Sequence, residues 1–208
     1  MTVEKAIMSA HYNEDLSWLD CTDLPKFIYS KTDAKYRLVE KNKGQEIPCF
    51  LSYIIDHYDN LPVKTLFMHG HRFSGHMDYN ADEIIPKLNW DLDDFFSINK
   101  RSWYQEISEK VHLDDDAYDV WLAQNWYIFH GLLPFPEKLL FYSGAQFVVH
   151  RKLILQYPVS FWKYLYNWVQ TTDLSNFITS RIFEYTWHYI FTRNPIEKQY
   201  TYDNIFLK

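Results

Sequence analysis

Apolar and polar positions divide the chain into alternating elements. Ala6-Ile7-Met8 form a short apolar run that closes on polar His11, Tyr12, Asn13, Glu14 and Asp15, the pattern of a buried strand ending in a polar loop. "KFIYSK" repeats the pattern after Pro25 and closes on Ser30 and Lys31. The loop "KNKGQEIP" follows, and Pro48 suits the first turn of a helix, where its missing N–H is not needed. Phe50, Leu51, Ile54, Ile55 and Tyr58 then recur at helical spacing. After "NLP" the run "VKTLFMHG" predicts a third strand. "DLDDFFSINKRSW" and "HLDDDAYDVWLAQNWYIFHG" each read as a loop followed by a helix, with Asp114, Asp115 and Asp116 near a helix start that favours carboxylates. "EKLLFYSGAQFVVHRKLI" gives two apolar runs broken at Ser143-Gly144, with a cationic exit at His150, Arg151 and Lys152. "PVSFWKYLYNWV" and "SNFITSRIFEYTWHYIF" are helices by period and length. Strand, strand, helix, strand is the rhythm of an α/β domain: a central β-sheet flanked by α-helices, with functional loops at strand ends.

Composition narrows the class. With 208 residues and 47% apolar content, residues 1–208 suit one domain with its own core. The ending "EKQYTYDNIFLK" carries no obvious stop, which fits a module of a longer polypeptide. A net charge of -6 without a basic block argues against nucleic acid and anionic membrane as partners. Neither a secretory leader nor an apolar stretch of the roughly 18 residues a membrane span needs is visible, so the expected location is the cytoplasm. Cys21 and Cys49 carry no pairing or zinc-knuckle spacing. Aromatic residues make up 19% of the chain, enough to supply sugar-stacking surfaces as well as core.

The densest chemistry follows the third strand, in "HGHRFSGHMDYN", residues 69–80. Ligands of open α/β sheets bind beyond the carboxyl ends of strands, so this loop joins the polar tips after the first two strands as a candidate site. For a Mg or Mn ion on a diphosphate, Asp78 is the obvious carboxylate, Asn80 adds a carbonyl, and His188 on the last long helix is a third candidate. Glu184 lies four residues before His188 and shares its helix face. His69, His71 and His76 instead suggest a zinc hydrolase, although their spacing matches no strong zinc pattern. No nucleophile elbow, P-loop or dinucleotide fingerprint occurs, so metal, side chains and loop amides would have to hold a diphosphate.

"HYNEDLSWL", "IYSK", "YIIDHYDNLP" before "TLFMHGH", "GAQFVVHRKLI" and "EYTWHYIF" together resemble a family of small GT-A-type glycosyltransferase domains of large algal viruses, over about residues 6 to 191. The resemblance implies a GT-A-like (Rossmann-like) fold with a mixed sheet, a nucleotide pocket made by the first strands, and Mn2+ or Mg2+ bridging the diphosphate of a UDP-sugar donor. It implies that His11, Tyr12, Asn13, Glu14 and Asp15 line the nucleoside pocket with Lys31 nearby, and that Gly144, Ala145 and Gln146 approach the donor sugar. The family's Asp-x-Asp metal motif corresponds to Asp78-Tyr79-Asn80, so an amide replaces one carboxylate, and His71 or His188 would complete the ligand set. Glu184 falls where the catalytic carboxylate is expected, with Asp78 as the other candidate to take the acceptor proton. The implied activity is transfer of a hexose or deoxyhexose to a glycan acceptor, in capsid glycan synthesis within the host cytosol. A non-catalytic carbohydrate-binding module and the histidine-based hydrolase remain as alternatives.

Overall fold

The computed structural model describes residues 3–108, 118–129 and 131–208. Asp114, Asp115 and Asp116 lie outside the described residues. β1 (Lys5–His11) and β2 (Lys26–Ser30) fall where the apolar runs predict strands. A short β3 (Arg37–Leu38) precedes α1 (Ile47–Asp56), whose first turn holds Pro48. β4 (Lys64–His69) is the predicted third strand, and α2 (Ala81–Ile84) is a single turn beyond its loop.

"DLDDFFSINKRSW" departs from its expected loop and helix. It contains β5 (Phe95–Ser97) and a 3-10 turn, and leads into β6 (Tyr104–Ser108). Three residues are too few to show a period, and partner strands decide their conformation. α3 (Tyr118–Asn125) opens the next described segment. The break at Ser143-Gly144 separates β7 (Lys138–Tyr142) from β8 (Phe147–His150), and the chain continues into α4 (Arg151–Leu155), α5 (Val159–Thr171), α6 (Asn176–Thr192) and α7 (Tyr202–Ile205).

Six strands form one sheet in the order β3-β2-β1-β4-β8-β5, and β6 pairs with β7 in a separate ribbon. β1, β2, β3 and β4 run parallel, whereas β8 is antiparallel to both β4 and β5. The two-residue period of the strands divides the core between two faces. Met8, Phe67, Phe147 and Val149 face one layer, with side chains from α1, α5 and α6. Ile7, Leu66, Met68 and Val148 face the other, with Trp18, Ala81, Ile84 and Ile205. Among the described residues no helix is long and apolar enough to cross a membrane.

Candidate functional site

From β1 the chain moves outward through β2 and β3, then returns to place β4 on the other side of β1. Strand order therefore reverses between β1 and β4, the position where open α/β sheets leave a crevice beyond their carboxyl ends. A cavity of about 520 Å³ lies there. Its walls include Tyr12 and Glu14 after β1, Lys31 after β2, Glu46 at the start of α1, and His69, His71 and His76 at and beyond the end of β4.

Local geometry fixes these groups. Glu14 Oε2 accepts the backbone N–H of Tyr12 at 2.5 Å and of Asn13 at 3.1 Å. Burial raises the Glu14 pKa, but these N–H bonds and the nearby His71 outweigh it and leave the carboxyl below its ordinary value. The free oxygen Oε1 faces His71 Nε2 at 3.5 Å. Gly70 allows this approach, since a Cβ there would come within 2.8 Å of Glu14 Oε2 and 2.9 Å of the Ala10 carbonyl. Lys31 Nζ lies 5.3 Å from the centre of the Tyr12 ring, so cation and aromatic face form one wall.

The floor is more buried. Gly44 (φ 69°) and Gln45 (φ 53°) turn the chain through left-handed backbone and deliver Glu46 into the cavity. Glu46 is 5% exposed, and its Oε1 has no hydrogen-bond partner. Its Oε2 lies 3.7 Å from His69 Nε2, which is itself buried and unpartnered. His76 packs 5.4 Å from His69 between ring centres, with a buried, unpartnered Nδ1. Desolvation lowers the pKa of both histidines to about 4, so both are neutral at pH 7. The same burial raises Glu46 well above the carboxylate range; Lys31 and Arg181 offset it only in part. Glu184 is raised by burial first and by the Glu46 charge second, while Arg181 contacts it directly.

The candidates from the sequence separate into two groups. Tyr12, Glu14, Lys31 and His71 line the cavity. His11 sits behind it, with Nδ1 2.9 Å from Ser30 Oγ, and Asn13 bonds Thr32. Asp15 is turned away to hold the Ser17 amide and hydroxyl. Gln146 is fully buried and reaches the cavity wall only through its Nε2, which donates to Ser74 Oγ at 3.4 Å. Gly144, at φ 125°, lies against the Asn99 amide, where a Cβ would come within 2.7 Å of Oδ1, and Ala145 is fully buried beside it.

The proposed metal set does not converge. Asp78 is held by the Tyr202 hydroxyl and by Lys100 Nζ at 3.4 Å. Asn80 Nδ2 donates to Glu83 Oε1 at 2.8 Å. His188 is packed against Phe141, with Nε2 3.1 Å from the Pro195 carbonyl. None of the three lines the cavity, because the loop after β4 carries Asp78 and Asn80 past it and α6 turns His188 toward Pro195. Of that set only His71 remains, and Glu184 approaches the site from behind, through Glu46. Glu46 itself was not evident in the sequence. Its signal was a lone carboxylate directly after the Gly44-Gln45 turn and ahead of the helix-starting proline.

A family model described as "Protein of unknown function (DUF3431)" matches residues 6–203. The chain belongs to this family. The match corrects the resemblance to algal-virus glycosyltransferases: the segments that carried that resemblance all fall within a DUF3431 domain, and no glycosyltransferase family model matches. Polar tips after parallel strands recur in many α/β domains, so such segments do not identify one lineage. No curated protein and no solved structure matches this DUF3431 chain.

Proposed function

We infer that this DUF3431 protein is a metal-dependent glycosyltransferase that takes a hexose or deoxyhexose from a UDP-sugar and passes it to a glycan acceptor. The observation that carries the reading is the cavity at the strand-order reversal, where imidazoles, carboxylates and Lys31 meet beyond β1 and β4. A mixed sheet with its pocket at the ends of the first strands is the arrangement a GT-A-like donor site requires, and the antiparallel β8 beside β4 is consistent with it. Lys31 and Tyr12 offer a cation and an aromatic face to an anionic nucleotide. A divalent ion, if bound there, would supply positive charge against the departing diphosphate. Buried nitrogen atoms of His69 and His76 lack partners and would be donors to such an ion, although among the described residues no group of three His, Cys, Asp or Glu side chains is already placed to hold one. Glu14 and His71 face each other across the same cavity and are available to hold it. Glu46 is the carboxylate best placed to accept a proton from an acceptor hydroxyl, since its free oxygen is in the cavity wall while Arg181 engages Glu184 behind it.

The three histidines brought into one cavity also favour a second reading, metal-assisted hydrolysis. One assay separates the two: UDP release from a panel of UDP-sugars, with and without Mn2+ and with and without a glycan acceptor. Metal-dependent release that rises with acceptor supports transfer. Release insensitive to every acceptor, with free sugar as the product, favours the hydrolase. No release from any donor overturns the UDP-sugar reading.

A further inference from the structure

We propose that Phe73, Gln45 and Glu46 build a sugar-binding subsite at the mouth of the cavity, and that it takes a neutral pyranose ring of the acceptor glycan. Calling that glycan the acceptor rests on the glycosyltransferase reading above; binding of the glycan itself does not.

Phe73 is 59% exposed, yet it lines the cavity together with Tyr12, whose ring is exposed as well. Isolated apolar side chains at a surface are ordinary, whereas two aromatic rings opening on one polar cavity mark a place for a ligand. The segment that carries Phe73 is tied down on both sides. On one side the Arg72 carbonyl accepts the Ala81 N–H at 2.7 Å, and Arg72 Nε donates to Asp82 Oδ1 at 2.9 Å. On the other, the Ser74 carbonyl accepts the Met77 N–H at 3.1 Å. Backbone held in this way loses less freedom when a ligand arrives, which favours binding.

Gln45 is a second, independent pointer. It is exposed, lines the same cavity and adopts φ 53°, a left-handed conformation that residues other than glycine take at a cost. Glycine would make the same turn without strain, so the strained position keeps a side-chain amide at the rim. Directly after it, Glu46 lines the cavity with a buried Oε1 that has no hydrogen-bond partner. An aromatic face beside an amide and an unsatisfied carboxyl oxygen matches the two sides of a pyranose: the C–H face packs on the ring, and the hydroxyls donate and accept. A fatty chain would leave the Gln45 and Glu46 atoms unpaired. Among the lining residues Lys31 is the one lysine or arginine, and the donor reading assigns it to the nucleotide, which leaves no such cation for a charged sugar and favours a neutral ring.

The test is binding of maltopentaose, cellopentaose, mannopentaose and xylopentaose to the full chain without donor or metal, read by calorimetry and by NMR saturation transfer. We expect at least one to bind, with binding about tenfold weaker in Phe73→Ala and in Gln45→Gly and close to parental in Phe73→Tyr. Gln45→Gly should melt no lower than the parent, because glycine takes the left-handed turn without strain, so weaker binding there is not a loss of fold. Tyr127→Ala removes a ring that is 61% exposed but does not line the cavity, and should bind as the parent does. No binding of any of the four up to roughly 10 mM overturns the proposal. So does binding that Phe73→Ala leaves unchanged, or that Tyr127→Ala weakens equally. Pentasaccharide binding without UDP release from any donor retains this subsite and removes the transferase reading. Acceptor-stimulated UDP release, with glycan binding indifferent to Phe73→Ala, retains the transferase and removes the subsite.

Discussion

His69 and His188 are the same residue in two different settings. Burial lowers the pKa of each to about 4. His188 lies in the all-round buried stretch of α6, bonded to the Pro195 carbonyl and stacked on Phe141, so packing and one hydrogen bond account for it. His69 reaches a cavity wall, and its buried Nε2 meets only the Glu46 carboxyl, beyond hydrogen-bond distance. Burial and a shifted pKa are common to both and therefore do not distinguish function from structure. The unfilled hydrogen-bonding capacity beside open space does.

The most direct way to break that contrast is to truncate each ring. His188→Ala removes a packed ring and one of the two donors to the Pro195 carbonyl, which keeps the Leu140 N–H at 2.9 Å, and should cost about 3 kcal/mol in urea unfolding. His69→Ala deletes a side chain whose buried Nε2 already lacks a hydrogen-bond partner, and should cost less than half as much while abolishing metal-dependent UDP release. Equal costs would refute the distinction.

Glu197 extends the comparison to pH. It belongs to the closed region near His188, accepts the Tyr142 N–H at 2.8 Å, and is raised by burial to about 7, offset in part by Tyr142, Ser97 and Arg101. A carboxyl whose folded pKa exceeds its unfolded value contributes full stability below the unfolded value, and that contribution is lost as pH rises through the folded one. Between about pH 4.5 and 7 the parent should therefore lose roughly 2–3 kcal/mol relative to Glu197→Gln, read as the difference between their urea midpoints across pH. The difference isolates Glu197 from Glu46 and Glu184, which shift in the same direction. A flat difference would place the Glu197 carboxyl in contact with water.

The smallest effect is expected at Asp78. Its partners Tyr202 and Lys100 lie at the surface, where such pairs contribute little, so Asp78→Asn should change stability by less than about 1 kcal/mol. A large loss of stability would show that the Asp78–Tyr202 contact anchors α7.

Long periodic segments were readable because their own side chains set their period. β1, β2 and β4 alternate or run apolar, and α1, α5 and α6 repeat at helical spacing. β3 and β5 have two and three residues, too few for a period, and exist because β2 and β8 offer them hydrogen bonds. The site divides in the same way. The polar tips after β1 and β2 and the histidines after β4 were visible, since a loop rich in His, Gly and Asp contrasts with the strand before it. Asp78 looked more promising than His69 because a carboxylate is the usual ligand for a diphosphate-bound ion, and sequence does not show which side chains a loop turns outward.

By itself the sequence determined the α/β class, the order of the long elements and the loop where chemistry concentrates, because each follows from contacts between near neighbours in the chain. Only the tertiary structure decided that Glu14, Glu46 and His69 share one cavity while Asp78 and His188 find partners elsewhere. That choice depends on strand order and on the Gly44-Gln45 turn, which join residues far apart in sequence through hydrogen bonds and packing that no local pattern records.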